Sequence, residues 1–147
     1  MLNKTLQTLI KRHQLALDEK RQFLVKLQTE QGGLRQQALA IEENRRNSWQ
    51  AMHKDNNFQL QLSRFMQASL QQRIELDEKA DNMQPEIDKA LDEVRQAYGE
   101  VRKLEIVLDE RIKSAALEAE QKEQKRLDEV SEQMMRHKKR MGFEAQS

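Results

Sequence analysis

Cysteine is absent from this 147-residue chain, so neither a disulfide framework nor thiolate chemistry is open to it. Aromatic residues make up only 4%, hydrophobic residues 37%, and there is a single proline. A compact domain of this length needs more apolar and aromatic side chains to fill a core. Glycine is nearly as scarce: none of Gly32, Gly33, Gly99 and Gly142 opens a phosphate-cradling loop. An excess of one charge is lacking too. With 26 basic and 25 acidic residues the net charge is +1, which gives no bulk field to draw nucleic acid or an anionic membrane. No apolar run approaches the ~20 residues of a membrane span, and the N-terminus has no signal-peptide core. The opening Met1-Leu2-Asn3-Lys4 leaves little room for a leader. The expectation is a soluble cytoplasmic protein without direct membrane insertion.

What is present is helix-forming sequence in register. Leu76, Ala80, Met83, Ile87, Ala90, Val94, Ala97, Val101, Leu104 and Leu108 follow one another at alternating spacings of three and four. An average of about 3.5 residues keeps one narrow stripe facing a partner helix, the signature of a coiled coil. Low hydrophobicity also marks disorder. Here, however, Leu, Ala, Glu, Gln, Lys and Arg dominate and the apolar positions are periodic, which favours helix. Opposite charges at helical neighbour spacing (Glu42 with Arg46, Asp109 with Lys113, Glu118 with Lys122, Glu132 with Arg136) mark solvated faces. Each such pair is worth only about 0.2–0.5 kcal/mol.

The stripe has its main interruption near residue 55. A first arm carries Leu2, Leu6, Leu9, Ile10, Leu17, Leu24, Leu27, Leu34, Ala38, Ile41 and Met52, widened by Ala16, Phe23 and Ala51. Lys54-Asp55-Asn56-Asn57-Phe58 then breaks it with residues that bond their own backbone and tolerate turns. The rhythm resumes at Leu62, Phe65 and Met66. The expected fold is all-α: one long antiparallel two-helix coiled-coil hairpin spanning residues 1–147. Helix 1 covers about 2–54, the turn about 55–58 and helix 2 about 59–139, with the chain a monomer. The same seam is also able to zip two chains together.

Folding about the turn places residue i opposite roughly residue 113 − i, so the first arm is exhausted near residue 111. From Ile112 onward the second helix overhangs, by about 40 Å on a rod of about 80 Å. At one level of the hairpin two helix weakeners coincide. Pro85 removes a backbone donor, at about 3 kcal/mol in an unbroken helix, and Gly32-Gly33 cost about 1 kcal/mol each. That level is either a static kink, or a helix restart with Pro85 in its first turn, or a working flexure point.

Chemistry-bearing constellations are missing. His13, His53 and His137 are far apart and lack paired ligand spacing. His13 falls on the seam, where a histidine is usually packed. Asp128-Glu129 are helical neighbours that diverge, without a pocket around them. No catalytic residue, cofactor or metal is expected, and the chain is read as a non-enzyme. Arg136-His137-Lys138-Lys139-Arg140 is a short basic run. Cations suit a helix C-terminus, and a lone run is weak support for nucleic-acid binding, which needs basic residues clustered along a face.

The segment Glu118-Ala119-Glu120-Gln121-Lys122-Glu123-Gln124-Lys125-Arg126-Leu127-Asp128-Glu129-Val130 is a Gln/Glu/Lys-rich helix closing on Leu-Asp-Glu-hydrophobic. In this, in total length, in its leucine-led N-terminus and in the break near residue 55, the chain resembles the flagellar FliJ family. Export stalk proteins of virulence type III secretion systems look similar. Pro85 departs from the uninterrupted second helix of that family.

The resemblance implies an antiparallel coiled coil similar to the γ subunit of rotary ATP synthases. Such a protein serves as stalk of a hexameric export ATPase, promotes its ring assembly, links it to the export-gate membrane protein, and binds chaperones of export substrates. On this reading Leu127, Asp128, Glu129, Val130 and Met134 contact the ATPase. Leu127, Val130, Met134 and His137 restart an apolar rhythm where the first arm no longer reaches. Phe65, an aromatic near the turn, either closes the loop end of the seam or docks to the export gate. The alternative function is an unrelated coiled-coil interaction module: a tether, filament adaptor or dedicated chaperone.

Overall fold

The computed structural model describes the backbone of residues 2–146 and side chains as far as Gly142. The architecture is all-α: α1 (Leu2–Met52), a short 3-10 turn (Asn56–Phe58), α2 (Gln59–Asn82) and α3 (Gln84–Gln146). The second arm is therefore two helices, and the second of them runs on past residue 139.

The turn follows from its residues. The Asp55 carboxylate accepts from the Asn57 backbone N–H at 3.0 Å, capping the 3-10 turn. The Asp55 N–H donates to the Met52 carbonyl at 3.0 Å, and the Gln59 side-chain amide donates to the His53 carbonyl, also at 3.0 Å. The last carbonyl of α1 thus finds a partner in the loop, and the His53 carbonyl just beyond it finds one at the start of α2.

One compact unit comprises Lys11–Val101. Its seam buries Leu17, Leu24, Leu27 and Ala38 from the first arm and Leu62, Ala80, Ile87, Ala90 and Val101 from the second. Leu24, Leu27, Ile87 and Ala90 form one cluster, with Met83, Leu91 and Val94 packed on it. Cross-arm bonds fix the antiparallel register: Gln31 to Ala80 and Gln84, Arg35 to Asp81, Glu42 to Arg73. This register brings Gln31 and its glycine neighbours level with Pro85. Phe23, placed on the stripe from sequence, is instead 47% exposed, because the seam is narrow and its position lies outside it.

The second unit comprises Met1–Ile10 together with Arg102–Ser147. Leu6 and Ile10 are buried in it, and Leu104 and Leu108 half-buried. Leu2 is 73% exposed and does not join this seam. Beyond Leu108 every described side chain is exposed, so this part of α3 is a single helix overhanging the first arm.

Candidate functional site

Three places on the chain carry side chains that the coiled coil does not use up or uses unusually. The first is the overhanging stretch of α3. Helical spacing puts Leu127, Val130 and Met134 on one face, where they are 50%, 41% and 69% exposed, and the series continues through His137 to Met141. Val130, Gln133, Met134, His137, Lys138 and Met141 line one shallow open hollow. Asp128 and Glu129, grouped with these residues from sequence, stand on the opposite side of the helix. Met141 escaped the sequence reading, although it is four residues beyond His137 and completes the rhythm.

The second place is the loop end of the hairpin. Ser48, Met52, Phe58, Gln61, Leu62 and Phe65 line an open apolar hollow of about 410 Å³. Phe65 is 37% exposed, Phe58 45% and Met52 44%. Phe65 thus lines this hollow while remaining exposed to solvent. Alongside, Trp49 and His53 stack with ring centroids 4.0 Å apart and planes within 4°. His53 Nδ1 lies 2.7 Å from the Trp49 carbonyl oxygen. A carbonyl only accepts, so this nitrogen carries the proton and donates. Trp49 was not singled out from sequence, while Met52 was placed on the apolar stripe and Phe58 in the break that follows it. The 3-10 turn brings Phe58 to the same hollow as Ser48 and Met52 of α1.

The third is a polar layer inside the seam. Glu42 Oε2 accepts from Arg45 Nη1 at 2.7 Å and from Arg73 Nη1, on the opposite arm, at 2.9 Å. Partial burial alone raises the Glu42 carboxyl. The hydrogen bonds and charges of Arg45 and then Arg73 outweigh it, holding the group below the usual carboxylate range. Nε of both arginines is buried with no acceptor in reach. Asp77 Oδ2 approaches Arg73 Nε only to 4.0 Å. Sequence spacing paired Glu42 with Arg46, whereas the structure gives it Arg45. Arg45 is half-buried and reaches Glu42 one turn away on the same helix, while Arg46 is exposed.

None of these arrangements assembles a nucleophile with a base. Among the described residues no group of three or more His, Cys, Asp or Glu is placed to hold a metal. No helix among them is long and apolar enough to cross a membrane. What the surfaces offer chemically is recognition: an apolar stripe on a free helix, and an aromatic hollow at a turn. No protein-family model matches the chain, and neither does any curated protein or solved structure.

Proposed function

We propose that this chain is a stalk and adaptor of the flagellar-type protein-export apparatus. It binds the hexameric export ATPase through the overhanging part of α3 and promotes the ring's assembly and activity. It links the ring to the export gate through the loop end around Phe65, and it receives substrate chaperones. It works in the cytoplasm, peripherally attached to the membrane-embedded apparatus, as a monomer with no catalytic residues of its own.

One observation supports this reading above the others. Leu127, Val130, Met134 and Met141 are all exposed along one helix face, at a level where no side chain of the first arm covers them. An apolar stripe in that state is a partner surface, and this spacing is the one used in helix-in-groove recognition.

Leu127→Asp combined with Met134→Asp tests it. The double variant should keep its helicity and its hairpin melting temperature, yet lose capture by purified export ATPase and lose stimulation of ATP hydrolysis. Full stimulation by the double variant would remove the ATPase contact from this helix. A wild-type chain that neither binds nor stimulates the ATPase would leave a coiled-coil interaction module with another partner.

A further inference from the structure

We propose that the stripe on α3 is made for an apolar groove with an acidic rim on the partner protein, an inference that rests on the docking role just assigned to this helix. At roughly 100° per residue, Leu127, Val130, Met134, His137 and Met141 occupy one narrow sector. Arg126 and Lys138 flank it on its two shoulders, with Arg140 at its edge. Every carboxylate between Gln124 and Gly142, namely Asp128, Glu129 and Glu132, lies further round the helix than any of these. There they share the far side with Lys125, Arg136 and Lys139. The basic run at residues 136–140 is thus divided: part is balanced on the back by acidic neighbours, and part borders the apolar face alone.

Of the flanking cations, one is already paired. Glu123 closes the stripe at its N-terminal end, and its Oε1 holds Arg126 Nη2 at 2.8 Å. Lys138 and Arg140 make no ion pair among the described residues. The approach face is therefore apolar at its centre, with its uncompensated positive charge at Lys138 on one shoulder and at Arg140 further round on the other side. Complementary potentials across an interface steer encounter and exclude wrong partners.

The same charges argue against two other occupants. A second copy packed in parallel would bring Lys138 and Arg140 against their own kind. An anionic lipid surface would accept the charge, but interfacial helices anchor themselves with Trp, Phe and Leu. No aromatic residue occurs between Ile112 and Gly142. Two methionines suit a protein groove, where an unbranched thioether adapts to irregular walls.

The test is equilibrium and kinetic binding of the full chain to purified export ATPase, with three variants side by side. Lys138→Glu with Arg140→Glu reverses the margin, Lys125→Glu with Lys139→Glu makes the same charge change on the back, and Leu127→Asp with Met134→Asp disables the stripe. All the changed residues are exposed, and circular dichroism checks that helicity is retained. Margin reversal should weaken binding roughly tenfold or more, mostly through slower association, and back reversal should change it less than about twofold. Raising salt from about 0.05 to about 0.5 M should erase most of the difference. Equal losses from margin and back reversal would overturn the acidic rim, as would no loss from margin reversal while the stripe variant fails to bind. That second outcome would leave the docking role intact. Unchanged binding by all three variants would overturn both. Binding to phosphatidylserine vesicles that margin reversal abolishes, with no such effect on the ATPase, would reassign the face to a membrane.

Discussion

The side-chain amide of Gln31 donates to the main-chain carbonyl of Ala80 at 2.9 Å, one turn before Pro85. The same Nε2 reaches Gln84 Oε1 at 2.9 Å, and Arg35 pairs with Asp81 at 3.0 Å. α2 ends at Asn82 because Pro85 has no N–H with which to continue the ladder. The Met83 N–H is shared between the Lys79 and Ala80 carbonyls, and α3 restarts with the Ile87 N–H on the Met83 carbonyl. A glutamine of the first arm thus adds a second, cross-arm bond to the Ala80 carbonyl, which also accepts from the Met83 N–H beside the interruption. Gln31→Ala should cost about 0.5–1.5 kcal/mol in urea unfolding, the usual worth of a partly buried hydrogen bond. Unchanged stability would mean that the join at Met83 holds itself.

Beside Gln31, a Cβ built on Gly32 or Gly33 meets nothing within 4 Å. Neither glycine is required by packing, and neither has positive φ. Gly32→Ala and Gly33→Ala should each stabilise the hairpin by about 0.5–1 kcal/mol, read as a raised unfolding midpoint. If the level is a working flexure point, the stiffened double variant should melt higher yet stimulate the export ATPase less. Equal stimulation would make the glycines incidental and the join static.

The Glu42 layer predicts a pH dependence. A carboxyl whose folded pKa is depressed stabilises the fold above its unfolded value, and that contribution is lost as pH falls through the folded value. Arg45 and Arg73 hold Glu42 below its ordinary 4.5, so its contribution is complete at neutral pH. Glu42→Gln should therefore melt below the wild type at pH 7. The gap should close progressively as pH falls below the ordinary carboxylate range, and a gap that persists in strong acid would assign the effect to shape instead of charge.

At the loop end, Phe65→Ala separates two roles. If the exposed edge of Phe65 docks the export gate, the variant should lose gate binding while ATPase stimulation and the melting temperature stay near wild type. Trp49 is the only tryptophan, so its emission reports this end of the molecule directly. His53→Ala removes the stacked ring and should shift that emission without loss of helicity. A fall in melting temperature with Phe65→Ala, together with loss of both binding activities, would make Phe65 a seam residue and nothing more.

How far the residues announced all this depends on which interactions are local or periodic. The run from Leu76 to Leu108 dictated a seam, and Asp55 with its two asparagines dictated a turn, because each needs only its own neighbours. Their spacing also set the register that brings Gln31 level with Pro85. The Glu42–Arg73 bond was not legible. It joins residues on different arms, and a local reading assigned Glu42 to Arg46 four residues away. The hollow around Phe58 and Phe65 was equally hidden, since its shape depends on how tightly a three-residue 3-10 turn closes. On α3 the apolar rhythm was visible but its reach was not, and Asp128 and Glu129 were grouped by sequence adjacency with residues they face away from.

The overhanging helix gives the last prediction. An isolated helix is marginal in water, since nucleation is costly and most helical stability in proteins comes from packing. Beyond Leu108 no described side chain is buried. What supports the helix there are exposed pairs such as Lys113–Asp109 at 3.1 Å and Arg126–Glu123 at 2.8 Å, each worth a few tenths of a kcal/mol. Its amides should exchange with solvent much faster than those of Leu62–Val101, whose seam residues are buried. Thermal circular dichroism should show a broad, non-cooperative loss of helix before the hairpin transition. A chain ending at Glu120 should lack most of that early phase and keep the hairpin transition unmoved, because the residues removed bury nothing. Bound export ATPase should abolish the early phase and slow exchange between Leu127 and Met141. A single cooperative transition, with uniform protection along α3 in the free chain, would mean that this helix is covered already and is not waiting for a partner.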